Sequence, residues 1–146
     1  MFNLAFDRRT RLMLVRFGGA LSLDDLARLD ERGPRLAALL APAGVIHDFT
    51  AIERLDVTAA QMATRAQQQQ FCSRLPRAVV APQPAIFGLM RLYGTYQSAA
   101  GHTAPVMART MDEAAAILGL PPPAFTTIAN SWTPVDERRV AVASAA

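Results

Sequence analysis

Apolar residues along the chain recur with two periods, and the switches between them mark the elements. Asn3 to Phe6 and Leu12 to Phe17 are short β-prone runs joined by the polar connection Asp7 to Arg11, which predicts an opening hairpin ended by Gly18 and Gly19. Ser22 then offers a helix N-cap, with Asp24 and Asp25 in the first turn where carboxylates suit the helix dipole. Leu26, Leu29, Leu36 and Leu40 keep helical spacing. Pro34 lacks the donor that the helical ladder needs, so a kink or restart is expected near Gly33.

Ala43 to Phe49 suits a buried strand that includes His47. Thr58 and Gln61 have the spacing of a capping box and announce a helix whose apolar stripe, Ala59, Met62, Ala63 and Ala66, is narrow and made mostly of small residues. The Gln67 to Gln70 run reads as a solvated helix end. Ala78 to Ala81 is the next strand, stopped by Pro82 and Pro84 before a helix over 85–99 whose buried face carries Ile86, Leu89, Met90 and Tyr93. Val106 to Ala108 is a last short strand, and Met111 to Leu118 a last helix with Gly119 as its stop.

This alternation predicts an α/β fold: a mixed, mainly parallel sheet of about five strands, with an opening hairpin and about four helices. One domain over residues 1–120 is expected. Beyond Pro121, Pro122 and Pro123 neither period continues, so 121–146, with Trp132 in it, reads as a Pro-rich extended C-terminal tail.

Composition narrows the class. Apolar residues make up 51% of the 146 against 18% charged, the balance of a globular chain. The chain has no lysine; its 15 basic side chains are all arginine, and the net charge is +3. The densest groups are Arg8, Arg9 and Arg11 near the start and Arg138 with Arg139 near the end, which is scatter along the sequence rather than a cationic stripe. No nucleic acid partner is expected on that basis. The lone Cys72 excludes an internal disulfide, and without a CxxC or Cys/His cluster no structural zinc is expected. Charges interrupt the apolar runs of the N-terminal segment, and no charge-free apolar run reaches the length of a membrane span, about 18 residues. A cytoplasmic protein is expected.

The order of elements and three strings resemble the STAS domain, in particular the SpoIIAA-like branch of stand-alone bacterial proteins. The strings are HDFTAIERLDVTA from His47 to Ala59, RAVVAP from Arg77 to Pro82, and IFGLMRLY from Ile86 to Tyr93. The resemblance spans about Phe2 to Leu120, judged by element order. It implies a regulatory module that binds a partner protein and carries no cofactor. In the family the partner is an anti-sigma factor kinase, which phosphorylates the first Ser of an Asp-Ser-Ser-Gly string at a helix start. Matched by position, Asp56 stands for the Asp, Val57 for the phosphorylated Ser, Thr58 for the second Ser and Ala59 for the Gly. Valine has no hydroxyl, so the family's phosphoswitch cannot operate at that position, and capping accounts for Thr58 without a phosphate.

Candidate chemistry is sparse. In open α/β sheets the ligand crevice lies beyond the carboxyl ends of the parallel strands, so the loops Asp48 to Thr58, Pro82 to Pro84 and Arg109 to Thr110 are the ones to watch. Asp48, Thr50, Gln83 and Arg91 are the polar groups expected to meet there. Arg91 beside Tyr93 or Tyr96 would suit an anion or a planar ring, although an exposed arginine covering apolar surface explains it as well. Gly88 inside a helix implies a close neighbour, because glycine there costs about 1 kcal/mol relative to alanine. His47 reads as a core histidine and Cys72 as a structural thiol; His102 has no nucleophile in a recognisable setting beside it. No GxSxG, Walker loop, HExxH or GxGxxG occurs, and no enzyme is expected.

Two functions are therefore weighed. The first is a non-enzymatic interaction module that meets a partner protein or a second copy of itself through Asp56, Thr58 and the helix after them. The second is a carrier, or an enzyme of unknown reaction, for an apolar or anionic small ligand, in a pocket beside helix 85–99 lined by Met62, Phe87, Met90, Tyr93 and Tyr96, with Arg91 as the anion anchor.

Overall fold

The computed structural model of the protein describes residues 1–130 and 136–145. Its elements are β1 (Phe2–Asp7), β2 (Leu12–Ser22), α1 (Leu23–Leu40), β3 (Gly44–Asp56), α2 (Ala59–Ala66), β4 (Arg77–Val80), α3 (Pro84–Ala99), β5 (Val106–Ala108), α4 (Met111–Ile117), β6 (Thr126–Asn130) and α5 (Glu137–Ser144). The strands form one mixed sheet in the order β5-β4-β3-β2-β1-β6. The four from β2 to β5 run parallel, and β1 is antiparallel to both β2 and β6.

Alternation along each strand sorts side chains onto two faces, and both faces are covered. Leu4, Phe6, Met13, Val15, Val45 and Val79 point to the face packed by α1, α2, α3 and α5. Ala5, Leu12, Leu14, Ile46, Ala78 and Val80 point to the other face, which is closed by α4 with Leu118, Leu120 and Phe125. Double coverage is why these strands read as nearly continuous apolar runs.

The structure departs from the sequence reading in five places. First, α1 runs unbroken from Leu23 to Leu40 with Pro34 inside it. Gly33 just before the proline carries the ring of Phe71 against its bare backbone, so tertiary packing holds the helix through the proline.

Second, Gly18 and Gly19 do not end β2. It continues to Ser22, pairing with an equally prolonged β3 from Gly18↔Ala51 to Ser22↔Asp56, with register shifts between Arg16 and Gly18 and between Gly19 and Ala20. Gly19 absorbs part of this irregularity at φ +61, a value that glycine adopts without strain. Most of Asp48 to Thr58, expected as a loop, is therefore strand.

Third, Gly88 has no close neighbour: a Cβ built there would meet nothing within 4 Å. The glycine of α3 that is closely packed is Gly94, against Ala104 and Pro105. Fourth, the segment after Leu120 is not extended throughout. Thr126–Asn130 forms β6 on β1, and Asp136 caps α5 through Arg138 N and Arg139 N. Ile128, Ala129 and Val140 are buried in the main core. Trp132 lies outside the described residues. Among the described residues the sheet thus has six strands with five helices around it, against the five and four expected.

Fifth, two arginine pairs from opposite ends of the sequence meet in space. Arg8, Arg9, Arg138 and Arg139 line one cleft between the hairpin and α5. Arg8 donates to Ala145 O and Arg9 to Pro122 O, which ties the C-terminal segment to the hairpin.

Candidate functional site

The expected site residues fall into separate places. Asp48, in the last residue pair between β3 and β4, is buried; its Oδ2 accepts from Arg16 Nε at 3.0 Å and its Oδ1 from Thr50 N at 2.9 Å. Gln83, the N-cap of α3, donates from Nε2 to Thr50 O at 3.1 Å. Arg109 at the end of β5 lies over the Phe87 ring, 4.2 Å from its centroid. Asp48, Thr50 and Gln83 do come together, but the amide of Gln83 bridges the expected crevice to β3. Arg91 is exposed on α3 and does not join them.

Asp56 and Thr58 form a second place, at the far end of the β2–β3 ribbon. Asp56 pairs with Arg54 through contacts of 2.6 and 2.8 Å, and the guanidinium lowers its carboxyl below the usual range. Thr58 and Gln61 close the capping box reciprocally: Gln61 N donates to Thr58 Oγ1 at 3.1 Å, and Thr58 N to Gln61 Oε1 at 2.8 Å. Val57 between them turns inward into the core, 8% exposed. Glu53, Arg54, Asp56, Thr58, Ala59, Ala60 and Gln61 around it are all exposed. The position matched to the family's phosphoacceptor is thus apolar and turned away from solvent.

The third place is inside the molecule. Beneath α1, α2 and α3 a cavity of about 50 Å³ opens against the sheet face that carries Phe17, Phe49 and Val79. Of the pocket expected beside helix 85–99, Met62, Met90 and Tyr93 line this cavity, whereas Phe87, Tyr96 and Arg91 do not. Tyr96 is 38% exposed on the outside of α3. The cationic groups in the wall are instead Arg65 from α2 and Arg77 from the first position of β4.

These two arginines differ in their partners. Arg65 holds Asp30 of α1 in a two-pronged contact, Nη1 to Oδ2 at 2.6 Å and Nη2 to Oδ1 at 2.7 Å. Arg77 is 5% exposed and donates from Nη2 to Thr103 O, while its Nε is buried without a hydrogen-bond partner. It makes no ion pair among the described residues. The register Val45↔Arg77 and His47↔Val79 puts Arg77 and His47 on the same sheet face. Burial, together with the charges of Arg77 and Arg65, takes the His47 imidazole down to about 3. Burial pushes the Cys72 thiol and the Tyr93 phenol up. All three are therefore neutral at neutral pH.

Sequence reasoning did not single out Arg65 or Arg77. For Arg77 a signal existed: a charged residue opens an apolar strand run at the same parity as the inward-facing Val79. His102, the other histidine, sits with Nε2 3.1 Å from Gln67 O. No group of three or more His, Cys, Asp or Glu side chains is placed to hold a metal among the described residues, and no described helix is long and apolar enough to cross a membrane.

No protein-family profile and no curated protein matches the chain in sequence. Among solved structures it is similar to the anti-sigma factor antagonist SpoIIAA in its unphosphorylated form, with a TM-score of 0.56 over 82% of this chain and 97% of that one. The fold is SpoIIAA-like. At 13% identity the likeness is one of fold, and it bears out the STAS-like architecture expected from element order. What this chain does with the SpoIIAA-like frame has to be argued from its own residues.

Proposed function

We propose that the chain is a cytoplasmic, non-enzymatic interaction module of the STAS type, docking a partner protein or a second copy of itself through the end of the β2–β3 ribbon and the start of α2. The observation that carries this reading is the setting of Val57. An apolar side chain is buried at the centre of an otherwise exposed surface, and the one hydroxyl beside it, on Thr58, is committed to the helix cap. Docking at this surface is therefore constitutive or controlled from elsewhere, not switched by a phosphate at position 57. The fold likeness to an anti-sigma factor antagonist supports a regulatory partner.

A photo-crosslinking residue placed at the exposed Ala60 tests the reading in native lysate, with Ala85 on α3 as the control position. A discrete adduct from position 60 and none from position 85 is expected. Thr58→Asp keeps an N-cap acceptor and adds a negative charge, so the adduct should survive that change. Equal labelling from both positions, or only free monomer, would overturn the proposal.

A further inference from the structure

The interior cavity poses a charge problem that the docking reading does not address. A buried guanidinium that lacks an anionic partner is costly, since its attraction to a counter-charge must offset the loss of hydration. The counter-charge for Arg65 is Asp30, at 2.6 Å. No carboxylate among the described residues plays that part for Arg77, which lines the cavity with a buried, unpaired Nε. The remaining polar side chains of the wall include His47, Cys72 and Tyr93. Each is held in its neutral form, so the wall carries one net positive charge.

We propose that the cavity is a binding site for a short-chain monocarboxylate, its head on the Arg77 guanidinium and its aliphatic tail against Met62, Met90 and Leu26. Three features fix this chemistry. A single uncompensated cation suits a monoanion, and a phosphate dianion would leave a second buried charge unmatched. The planar guanidinium fork matches a carboxylate better than it matches a spherical ion. Apart from Arg65, which Asp30 pairs, and the neutral polar groups, the wall is apolar, with Phe17, Leu21, Leu26 and Leu29 all 6% exposed or less. A volume of about 50 Å³ admits roughly four water-sized groups, the scale of acetate or propionate. Longer acids fit only if the wall yields, and the segment that closes it, 67–76 with Gln70 and Phe71, contains no helix or strand.

Arg91 therefore gives way to Arg77 as the anion anchor. The site does not rest on the docking surface, because Asp56, Val57 and Thr58 take no part in the cavity wall.

The test is thermal unfolding of the purified chain in carboxylate-free buffer at fixed ionic strength, titrated with propionate, propionamide and chloride. Saturable stabilisation by propionate is expected, with Tm rising by roughly 5–10 °C at a hundredfold excess over Kd. Propionamide tests shape without charge, and chloride tests charge without shape. Arg77→Met should abolish the propionate effect. Because that variant also removes the Arg77 contact to Thr103 O, methyl NMR of the unmodified chain gives a second readout: the Met62 and Met90 methyl resonances should shift on propionate addition and saturate together with Tm. No stabilisation by propionate, equal effects of propionamide or chloride, unmoved Met62 and Met90 methyls, or a response retained in Arg77→Met would each overturn the proposal. Docking at Ala60 would be unaffected by any of these results.

Discussion

Gly33 of α1 and Phe71 of the α2–β4 connection are in direct contact, so close that a Cβ added to the glycine would fall 2.4 Å from Phe71 Cε1 and 2.6 Å from Cδ1. Glycine in a helix interior is unfavourable by about 1 kcal/mol relative to alanine, and here that cost is offset by the ring it admits. Phe71 also lines the interior cavity, so this contact fixes one edge of the cavity to α1.

Gly33→Ala should therefore destabilise the protein, by about 1–3 kcal/mol, despite the better helix propensity of alanine. Phe71→Ala removes the obstructing ring, and the double variant should be less destabilised than the sum of the two single ones. Urea unfolding of the four proteins measures the coupling. Strict additivity would show that the ring simply moves aside.

The partly buried His47, in the cavity wall, predicts how stability responds to acid. Its imidazole titrates near 6.5 when unfolded and only at about 3 when folded, because of burial first and then the charges of Arg77 and Arg65. Between those values the unfolded chain binds a proton that the folded chain refuses, so stability falls as pH drops, by up to about 1.4 kcal/mol per pH unit. This contribution is fully in place above 6.5 and erodes as the pH falls toward 3. Asp7 and Asp25 act lower down: burial alone would raise their carboxyls, but hydrogen bonds, from Thr10 and Arg9 N to Asp7 and from Ser22 to Asp25, bring both below the ordinary range. Their stabilisation is lost only as the pH falls below that of ordinary carboxylates. From pH 7 to pH 5, in carboxylate-free buffer, a loss of up to about 2 kcal/mol attributable to His47 is expected. His47→Gln should flatten this slope, and an unchanged slope in that variant would count against the assignment.

How far the fold can be read in the sequence depends on how local its causes are. The start of α2 is legible because Thr58 and Gln61 close their box within a few residues. The opening hairpin is legible for the same reason, its turn and its two apolar runs being adjacent. β6 is not, because Thr126–Asn130 is held as a strand by pairing with β1, at the other end of the chain. The prolonged ends of β2 and β3 escape for a related reason: each is a strand because the other is, and the alternation of Thr50 to Asp56 is too weak to announce it alone. At the site, Met62, Met90 and Tyr93 are found because helical spacing points them inward. Arg77 is missed because its meaning comes from the partner it lacks, which only the folded chain displays.

The C-terminal segment offers the most direct test of what the sequence pattern concealed. β6 pairs along the β1 edge opposite β2, and Ile128 and Val140 are each 2% exposed in the main core. Burial of two such side chains contributes on the order of 1.5–3 kcal/mol each. A variant ending at Leu120 would lose both and would leave β1, with its buried Leu4 and Phe6, as an open sheet edge, the kind of edge that recruits other chains. The truncated protein should melt roughly 10 °C or more below the full chain and scatter light on heating. Arg8→Gln, which removes the exposed Arg8 contact to Ala145 O and leaves β6 and α5 in place, should stay close to the parent. If the truncated chain melts with the full-length protein, the segment is an appendage, and its burial contributes little to the stability of the sheet.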